Sequence, residues 1–328
     1  MKTANQSLTR RALIAAACTL AFSASAWASD AYPNKVISLV VPTAAGGGND
    51  AMARVLAKRM SEILGQQIVV ENKAGGNGAI ASEYVARAKP DGYTILFGYI
   101  ATHAMNPALQ KLRYDPVASF SPIGMVCNSP TLMVANPKLA ISSVPDLIKA
   151  SKADPNGLNY ASAGSGTAPH FAAELFKLST GTQIMHVPYK GSAPAMTDTM
   201  AGQTQIMFPS LFTAYPFVQT GKLKPLAVAG PRRSELMPDV PTLAELGIQG
   251  VDVSQWYAMF APARTPVDIV TQLNQALNQT LQDKTVAKNL ELHGAIVEWS
   301  TPEQLGTLVS TELKRWQGVV ARAGLTPD

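Results

Sequence analysis

Cysteine, histidine and aromatic residues are scarce in this chain. Its 328 residues include two cysteines and four histidines, and only 7% are aromatic. Cys18 lies in an N-terminal segment with the pattern of a cleaved signal peptide, so Cys127 has no intramolecular disulfide partner, and the fold must depend on its hydrophobic core. Metal ligands in proteins are clustered histidines, cysteines and carboxylates, whereas the histidines here are far apart: His103, His170, His186 and His293. The sequence therefore predicts no metal site.

No apolar run reaches the roughly 20 residues that a membrane-spanning helix needs. The N-terminus has another pattern: three basic residues, a short apolar stretch at 12–22, and the small-x-small sequence Ala26-Trp27-Ala28. This order is typical of a cleaved signal peptide. We therefore predict that residues 1–28 are removed before Ser29 and that the protein is exported to the periplasm, with the general and twin-arginine export routes both open.

Basic residues are not concentrated in the predicted mature chain. Removal of Lys2, Arg10 and Arg11 lowers the formal net charge from +5 to +2. No cluster of lysine and arginine is interleaved with aromatic residues, and this excludes the usual nucleic-acid-binding surface. The remaining 300 residues are long enough for two lobes with a large core.

Short β-rich apolar runs alternate with amphipathic helical stretches along the chain. A β-α-β-α-β order indicates a parallel sheet with right-handed crossovers, so the predicted class is α/β, with two lobes joined by strand crossovers. The predicted strands are 36–41, 67–71, 93–97, 131–135, 158–161, 184–187, 205–208, 226–229 and 256–261, and the predicted helices are 50–64, 79–88, 144–153, 169–178, 193–201, 266–282, 285–292 and 302–323.

The strongest local feature is a glycine-rich turn between the first strand and the first helix. Glycine lets the backbone bend sharply and lets a ligand approach its amides, and the free N–H groups at a helix N-terminus attract an anion. The candidate residues are Thr43, Ala44, Ala45, Gly46, Gly47, Gly48, Asn49 and Asp50.

A second loop of this kind follows the strand at 158–161, and we predict that the two loops hold a carboxylate between two lobes. Its candidate residues are Ser162, Gly164, Ser165, Gly166, Thr167 and His170. Residues that follow other strands extend the candidate cleft: Tyr99, Thr102, His103, Tyr189 and Lys190. A third glycine-rich turn, at 75–78, is interpreted as mostly structural.

Two patterns in the sequence suggest an enzyme as the alternative to a binding protein. Ser165 is not in a nucleophile elbow, because Ala163 and Thr167 stand where the G-x-S-x-G motif requires glycine. Gly46-x-Gly48-x-x-Ala51, with Glu71 ending the next strand, resembles a dinucleotide fingerprint. The extra residues 42–45 lengthen a turn that is tight in that motif, and an exported protein meets little nicotinamide cofactor. An exported NAD-dependent oxidoreductase therefore remains only an alternative, and no catalytic residue or cofactor is predicted.

Motifs in a fixed order along the whole predicted mature chain resemble the periplasmic receptors of tripartite tricarboxylate transporters, often called Bug receptors. The motifs are Tyr32-Pro33, Val41-Pro42, Gly46-Gly47 with Asp50, Glu71-Asn72, Pro90-Asp91-Gly92-Tyr93-Thr94, Thr102-His103-Ala104-Met105-Asn106-Pro107, Leu158-Asn159-Tyr160-Ala161-Ser162, His186-Val187-Pro188-Tyr189-Lys190-Gly191 and Pro238-Asp239-Val240-Pro241-Thr242.

The resemblance implies a two-lobed periplasmic-binding-protein fold, with residues 30–129 and 252–328 in one lobe and 130–251 in the other. It implies a monomeric receptor, not an enzyme, that closes on a small organic carboxylate held by Gly46–Asp50 and Ser162–Thr167. It also implies delivery of the ligand to permease subunits in the membrane, with delivery to a sensor protein as the alternative.

The chain departs from the family pattern at two places. Thr43-Ala44-Ala45 stands where the family commonly has an aromatic residue and prolines, which predicts a differently shaped pocket. Pro209 and Ser210 stand where amino-acid-binding members often have an aspartate. We therefore expect a carboxylate ligand without a cationic α-amino group.

Overall fold

The computed structural model describes residues 32–327, and the predicted signal peptide lies outside them. Residues from Lys35 onward form one unit, and this unit contains all of the elements below. Its strands are β1 Ile37–Val41, β2 Ile68–Asn72, β3 Thr94–Tyr99, β4 Phe120–Ala135, β5 Asn159–Ser162, β6 Met185–Pro188, β7 Ile206–Met207, β8 Lys224–Ala229, β9 Ser254–Pro262 and β10 Ile296–Val297.

Helices follow most of the strands, as the alternating pattern predicts. They are α1 Gly48–Leu64, α2 Ala79–Ala86, α3 Asn106–Leu109, α4 Val144–Ala153, α5 Ala168–Thr180, α6 Ser192–Ala201, α7 Leu211–Gln219, α8 Val267–Gln282, α9 Lys284–Glu291 and α10 Pro302–Ala323. A π-helical turn, Ala101–Met105, runs directly into α3.

The first part of the sheet has the order β2-β1-β3-β9-β4. Strands β1, β2 and β3 are parallel, with Val40 opposite both Glu71 and Leu96. Strand β9 is antiparallel to β3 and to β4. Strands β1 and β9 are buried along nearly their whole length. Strands covered on both faces read as continuous apolar runs, and this explains why they were visible in the sequence.

The second part of the sheet has the order β4-β7-β5-β6, with β8 on the other side of β4. Strand β5 is parallel to β6 and β7, and β4 is antiparallel to β7 and β8. The parallel βαβ arrangement predicted from the sequence is therefore present in both parts.

Strand β4 belongs to both parts of the sheet. Its residues up to Pro130 pair with β9, and its residues from Thr131 pair with β7 and β8. The chain passes back between β8 and β9. The sequence predicted only 131–135 as a strand here, because Pro122, Gly124 and Pro130 are usual strand breakers. In the structure the β4–β9 register shifts at two places in the first half of β4, and such irregularities accommodate breakers within a sheet.

Helix α7 was not predicted from the sequence. Pro216 lies inside it, and an internal proline removes a helical hydrogen bond. Ser210 compensates at the N-terminus, since its hydroxyl accepts a hydrogen bond from the Thr213 amide. This N-cap typically contributes about 1 kcal/mol.

Candidate functional site

Two small cavities lie where parallel strands of both parts of the sheet end. The larger cleft cavity has a volume of about 50 Å³, and the smaller cleft cavity about 10 Å³. The larger is lined by Pro42, Thr43, Gly75, Gly76, Asn77, Gly78, Tyr99, Ala163, Tyr189, Lys190 and Gly191. The smaller is lined by Thr43, Ala44, Gly47, Gly48, Asn49, Gly191, Ser192 and Ala193. This is the position at which open α/β sheets bind ligands.

A wider groove of about 470 Å³ lies elsewhere, along residues 107–119. It is open to solvent and is not at the end of a parallel strand. None of the buried polar atoms that lack a hydrogen-bond partner lines it. We therefore place the candidate site at the cleft cavities, despite the larger volume of the groove.

The first glycine loop is held in shape by Asp50. Its carboxylate accepts hydrogen bonds from the Gly46 amide and from Arg54 Nε, both at 3.0 Å. Burial raises the pKa of Asp50, but hydrogen bonds from Arg54, Gly46 and Asn72 outweigh it, so the pKa is lowered. Because its charge is already paired, Asp50 shapes the loop and leaves the loop without a free negative charge.

Helix α1 begins at this loop without a side-chain cap. Its N-cap residue is Gly47, which leaves the positive end of a 17-residue helix beside the smaller cavity. Gly46 has φ +81°, a value that suits glycine. Ala45 and Gly46 are exposed, whereas Gly47, Gly48 and Asn49 are buried against the cavity.

In the second glycine loop, the hydroxyl groups of Ser162 and Thr167 form hydrogen bonds with residues of the loop itself or beside it. Ser162 Oγ accepts a hydrogen bond from the Gly164 amide at 3.0 Å and lies 2.6 Å from His186 Nε2. Thr167 donates to the Gly164 carbonyl at 2.5 Å. The Gly166 amide donates to His170 Nδ1 at 3.2 Å. Ser162, Thr167 and His170 thus fix the loop, and helix α5 begins there without a side-chain cap.

The third glycine loop faces the second one across the cleft. The Asn77 amide group donates a hydrogen bond to the Ser165 carbonyl, and a side chain at Gly164 or Gly166 would meet Asn77 or Asn106. Asn77 has φ +55°, and asparagine tolerates this left-handed conformation better than most residues. The interpretation of 75–78 as mostly structural missed its place in the cleft wall. The sequence signal that could have indicated this role is the occurrence of three glycines and one asparagine within four residues.

Strand β6 contributes the wall beyond the second loop. The Tyr189 hydroxyl donates to Asp198 at 2.7 Å. Burial and the Asp198 carboxylate raise the Tyr189 pKa to about 12, so the phenol stays neutral at physiological pH. Lys190 is exposed at the edge of the larger cavity. Gly191–Ala193, where helix α6 begins, were not among the predicted site residues.

Comparison with known proteins decides the family. The model of the tripartite tricarboxylate transporter family receptor matches residues 52–325. The chain belongs to this family. Among its relatives, protein BugT of Bordetella pertussis is 37% identical over 298 residues, covering 90% of this chain and 91% of BugT. The resemblance read from the sequence motifs is therefore confirmed.

Solved structures of relatives share the fold of the receptor. A Rhodopseudomonas palustris protein with adipate, Rpa4515, is 35% identical, with a TM-score of 0.87 and coverage of 90% of this chain and 100% of that one. MatC of the same species with bound malate is 33% identical, with a TM-score of 0.85 and coverage of 88% and 100%. The predicted periplasmic-binding-protein fold is confirmed by the similarity to the solved structure of periplasmic binding protein BugD, which is 34% identical, with a TM-score of 0.87 and coverage of 90% and 100%.

Pro209 and Ser210 lie outside both cavity linings of the receptor. The Pro209 carbonyl accepts the Leu132 amide, and Ser210 caps α7. A side chain at Gly48 would meet Thr213 and Phe212 of α7, so this segment packs against the start of α1. No acidic side chain lines either cavity.

Two other predicted site residues of the receptor lie in the core. Thr102 and His103 are each 0% exposed. The Thr102 hydroxyl donates to the Tyr99 carbonyl at 2.9 Å, and the His103 ring stacks on Phe260 with 3.8 Å between centroids. The π-helical turn directs both side chains away from the cavities, whereas Tyr99 lines the larger one. This placement favours a packing role for Thr102 and His103.

Burial makes His103 a source of acid sensitivity. It lowers the His103 pKa from 6.5 to about 3, so the unfolded chain binds a proton that the folded receptor does not. The free energy of unfolding should therefore fall between pH 6.5 and 3, at up to about 1.4 kcal/mol per pH unit, and be unaffected by this group above pH 6.5. Urea unfolding at a series of pH values tests this. His103→Gln should remove this slope and His293→Gln should keep it; an unchanged slope in His103→Gln would contradict the assignment.

Within residues 32–327 no helix is long and apolar enough to cross a membrane. In the same range, no three histidine, cysteine or carboxylate side chains are grouped to hold a metal ion.

Proposed function

We propose that this receptor captures a small organic carboxylate that lacks a cationic amino group, and that it does so in the periplasm for a tripartite tricarboxylate-type transporter. The observation that best supports this proposal is the charge of the cleft. Uncapped N-termini of α1 and α6 border it, Lys190 lies at its edge, and no acidic side chain lines either cavity. Such a surface attracts an anion and offers an ammonium group no carboxylate partner.

The bound ligands of two relatives support the carboxylate assignment. One solved structure carries adipate and the other malate, and both compounds lack an amino group. In this chain two carboxylates next to cleft residues are already paired: Asp50 with Arg54 and Asp198 with Tyr189. An ammonium group would displace one of these partners or remain unpaired.

Capture by cleft closure is the mechanism that we propose. The lobes would be residues 30–129 with 252–328, and residues 130–251. Strand β4 changes its pairing partners between Pro130 and Thr131, and the chain returns between β8 and β9, so two crossings provide a hinge. Contacts made only in the closed form shift an open–closed equilibrium toward it. The closed, monomeric receptor would then dock on the permease subunits.

Matched ligand pairs test the proposal by isothermal titration calorimetry and thermal unfolding. Succinate with aspartate, and glutarate with glutamate, differ only in the ammonium group. We expect the ligand without the amine to bind at least about 100-fold more tightly, because an unpaired buried charge is costly. At 100 times its dissociation constant, a ligand stabilises the folded receptor by about 2.7 kcal/mol. Equal or tighter binding of the amino acids would refute the selectivity, and stabilisation by NAD alone would refute the receptor assignment.

A further inference from the structure

The groove along residues 107–119 is built differently from the cleft cavities. It has a volume of about 470 Å³, is open to solvent, and runs from Pro107 in helix α3 to Ser119, just before strand β4. Lys111 and Arg113 on its wall are both exposed. Pockets for small ligands enclose most of the ligand's surface, so an open groove of this size suits a macromolecular partner better.

The groove presents more positive than negative charge. Arg113 lies 3.9 Å from Glu83, whose carboxylate is already paired with Arg87 at 2.7 Å, and the Arg113 side chain is 81% exposed. Lys111 makes no ion pair with any residue in the range 32–327. The Asp115 carboxylate accepts hydrogen bonds from two backbone amides of its own turn, at 2.8 and 2.7 Å. Charge complementarity therefore favours an acidic partner.

An apolar pocket of about 20 Å³ adjoins the groove, because Pro116 lines both. Phe120, Phe260 and Val309 also line this pocket, and Val117 at its edge is 43% exposed. In protein interfaces an apolar side chain often anchors the centre while charges at the rim orient the partner. Surfaces for anionic lipid usually carry clusters of roughly four to eight basic residues, so the groove suits an acidic protein segment better than a membrane surface.

One residue of the groove is hydrogen-bonded to the ligand cleft. Gln110 Nε2 donates to Asn106 Oδ1 at 2.7 Å. Asn106 is 0% exposed and donates to the Gly76 carbonyl of the third glycine loop at 3.2 Å. A β-carbon at Gly166, in the second glycine loop, would lie 3.0 Å from Asn106 Oδ1. Asn106 therefore connects the groove to the place where the second and third glycine loops meet.

A second connection runs through Tyr114, which also lines the groove. Its hydroxyl donates to the Thr102 carbonyl at 2.7 Å, and Thr102 Oγ1 is hydrogen-bonded to the backbone of Tyr99, a residue of the larger cleft cavity. All three residues are buried. Because packed interiors transmit displacement, a change of the cleft walls reaches the groove.

We propose that the groove along residues 107–119 is the docking surface for a membrane subunit of the transporter, and that Asn106 and Gln110 couple docking to closure of the cleft. The partner is an acidic extracytoplasmic segment with an apolar anchor residue. Membrane proteins place their lysines and arginines mainly in cytoplasmic loops, so their extracytoplasmic loops offer few cations that this surface would repel. This inference rests on the proposed function, since it specifies where the receptor meets its transporter.

Charge reversal tests the docking surface. The probe is the membrane subunits of the source bacterium's tripartite tricarboxylate transporter in phosphatidylcholine nanodiscs, measured by surface plasmon resonance. The receptor is saturated with whichever of succinate, glutarate, adipate and malate stabilises it most. Lys111→Glu combined with Arg113→Glu should bind about 10-fold or more weakly, because like charges then face each other. Lys222→Glu combined with Arg232→Glu is the matched control: both residues are exposed, on either side of β8, and the same change of net charge there should leave docking unchanged.

The outcomes separate this surface from the proposed function. Equal docking of the charge-reversed and unsubstituted receptors would overturn the surface and leave the proposed function standing, as would docking that does not weaken with rising salt. Binding to vesicles of phosphatidylcholine and phosphatidylglycerol without the subunits, or self-association through the groove in sedimentation, would also overturn it. Absence of docking by the folded, ligand-loaded receptor would overturn both the surface and the coupling to a transporter.

Gln110→Leu tests the coupling, because leucine cannot donate to Asn106. The unsubstituted receptor should dock about 10-fold more tightly with ligand than without it, and the subunits should raise its ligand affinity by the same factor, since such coupling is reciprocal. In Gln110→Leu this factor should fall below about threefold, whereas Gln282→Leu, at an exposed position, should keep it. A purely structural role would change stability and leave the factor unchanged. The full factor in a folded Gln110→Leu receptor would overturn the coupling.

Discussion

Substitution of Gly164 by alanine is expected to weaken ligand binding by about 100-fold or more. Gly164 lies in the second glycine loop with φ +115°. A β-carbon there would meet the Asn77 side chain on the opposite wall of the cleft and would lie 3.2 Å from the Tyr189 carbonyl. Since Asn77 also donates to the Ser165 carbonyl, the added methyl group would separate two loops whose contact the proposed closure requires. Titration calorimetry with the preferred carboxylate measures the loss.

Backbone strain must be separated from obstruction of closure in this experiment. Gly181 also has a positive φ, +65°, and a β-carbon there would have no neighbour within 4 Å. Gly181→Ala should therefore cost about 1 kcal/mol of stability and leave the dissociation constant unchanged. Asn77→Gly combined with Gly164→Ala should recover part of the affinity, because it removes the opposing side chain. A Gly164→Ala receptor that binds as tightly as the unsubstituted one would contradict closure by contact of these loops.

Small-angle X-ray scattering gives an independent measure of the same prediction. The unsubstituted receptor should show a smaller radius of gyration with ligand than without it, whereas Gly164→Ala should keep the larger value at the same ligand concentration. Compaction of the variant to the same extent would show that the loops do not limit closure.

The alternation of apolar strands and amphipathic helices was sufficient to predict the α/β class and most elements. Strands β1 and β9 are continuous apolar runs because helices or neighbouring strands cover them, and glycines mark the turns that follow β1 and β5. These signals are local. Helix α7 and the first half of β4 were missed because Pro216, Pro122 and Pro130 usually indicate breaks, and only tertiary contacts show that the elements continue through them.

The directions in which individual side chains point could not be predicted from the sequence. His103 follows β3 as a ligand-binding residue would, but its stacking partner Phe260 comes from a strand far along the chain. Ser162 and Thr167 have the hydroxyls of a ligand-binding loop, yet those hydroxyls hold the loop itself. Asn77 lies in the cleft wall because its left-handed conformation brings it against Ser165. Each of these outcomes depends on packing between residues far apart in the chain, which residue spacing in the sequence does not predict.

Loss of the Asp50 carboxylate should disrupt the first glycine loop and is the second large effect that we expect. Asp50→Ala removes the acceptor of the Gly46 amide and the partner of Arg54, so two charge-assisted hydrogen bonds are lost. We expect the free energy of unfolding to fall by about 2 kcal/mol and the dissociation constant of the carboxylate ligand to rise by about 10-fold or more. Urea unfolding and calorimetry measure the two effects. Asp50→Asn keeps an acceptor for Gly46 and should retain more of the affinity.

Glu62→Ala is the matched control, since Glu62 pairs with Arg59 on the exposed face of the same helix. This substitution should lower the free energy of unfolding by less than about 1 kcal/mol.

The pH dependence of stability separates the contribution of Asp50 from that of His103. Because the Asp50 pKa is lowered from its ordinary 3.8, its stabilising contribution is complete above that pH and is lost as the pH falls through the lowered value. Asp50→Ala should thus lose the Asp50 contribution to acid sensitivity below pH 3.8 and keep the His103 slope between pH 6.5 and 3. Loss of the upper slope in this variant would contradict its assignment to His103. Ligand binding as tight as that of the unsubstituted receptor would show that Asp50 does not hold the loop.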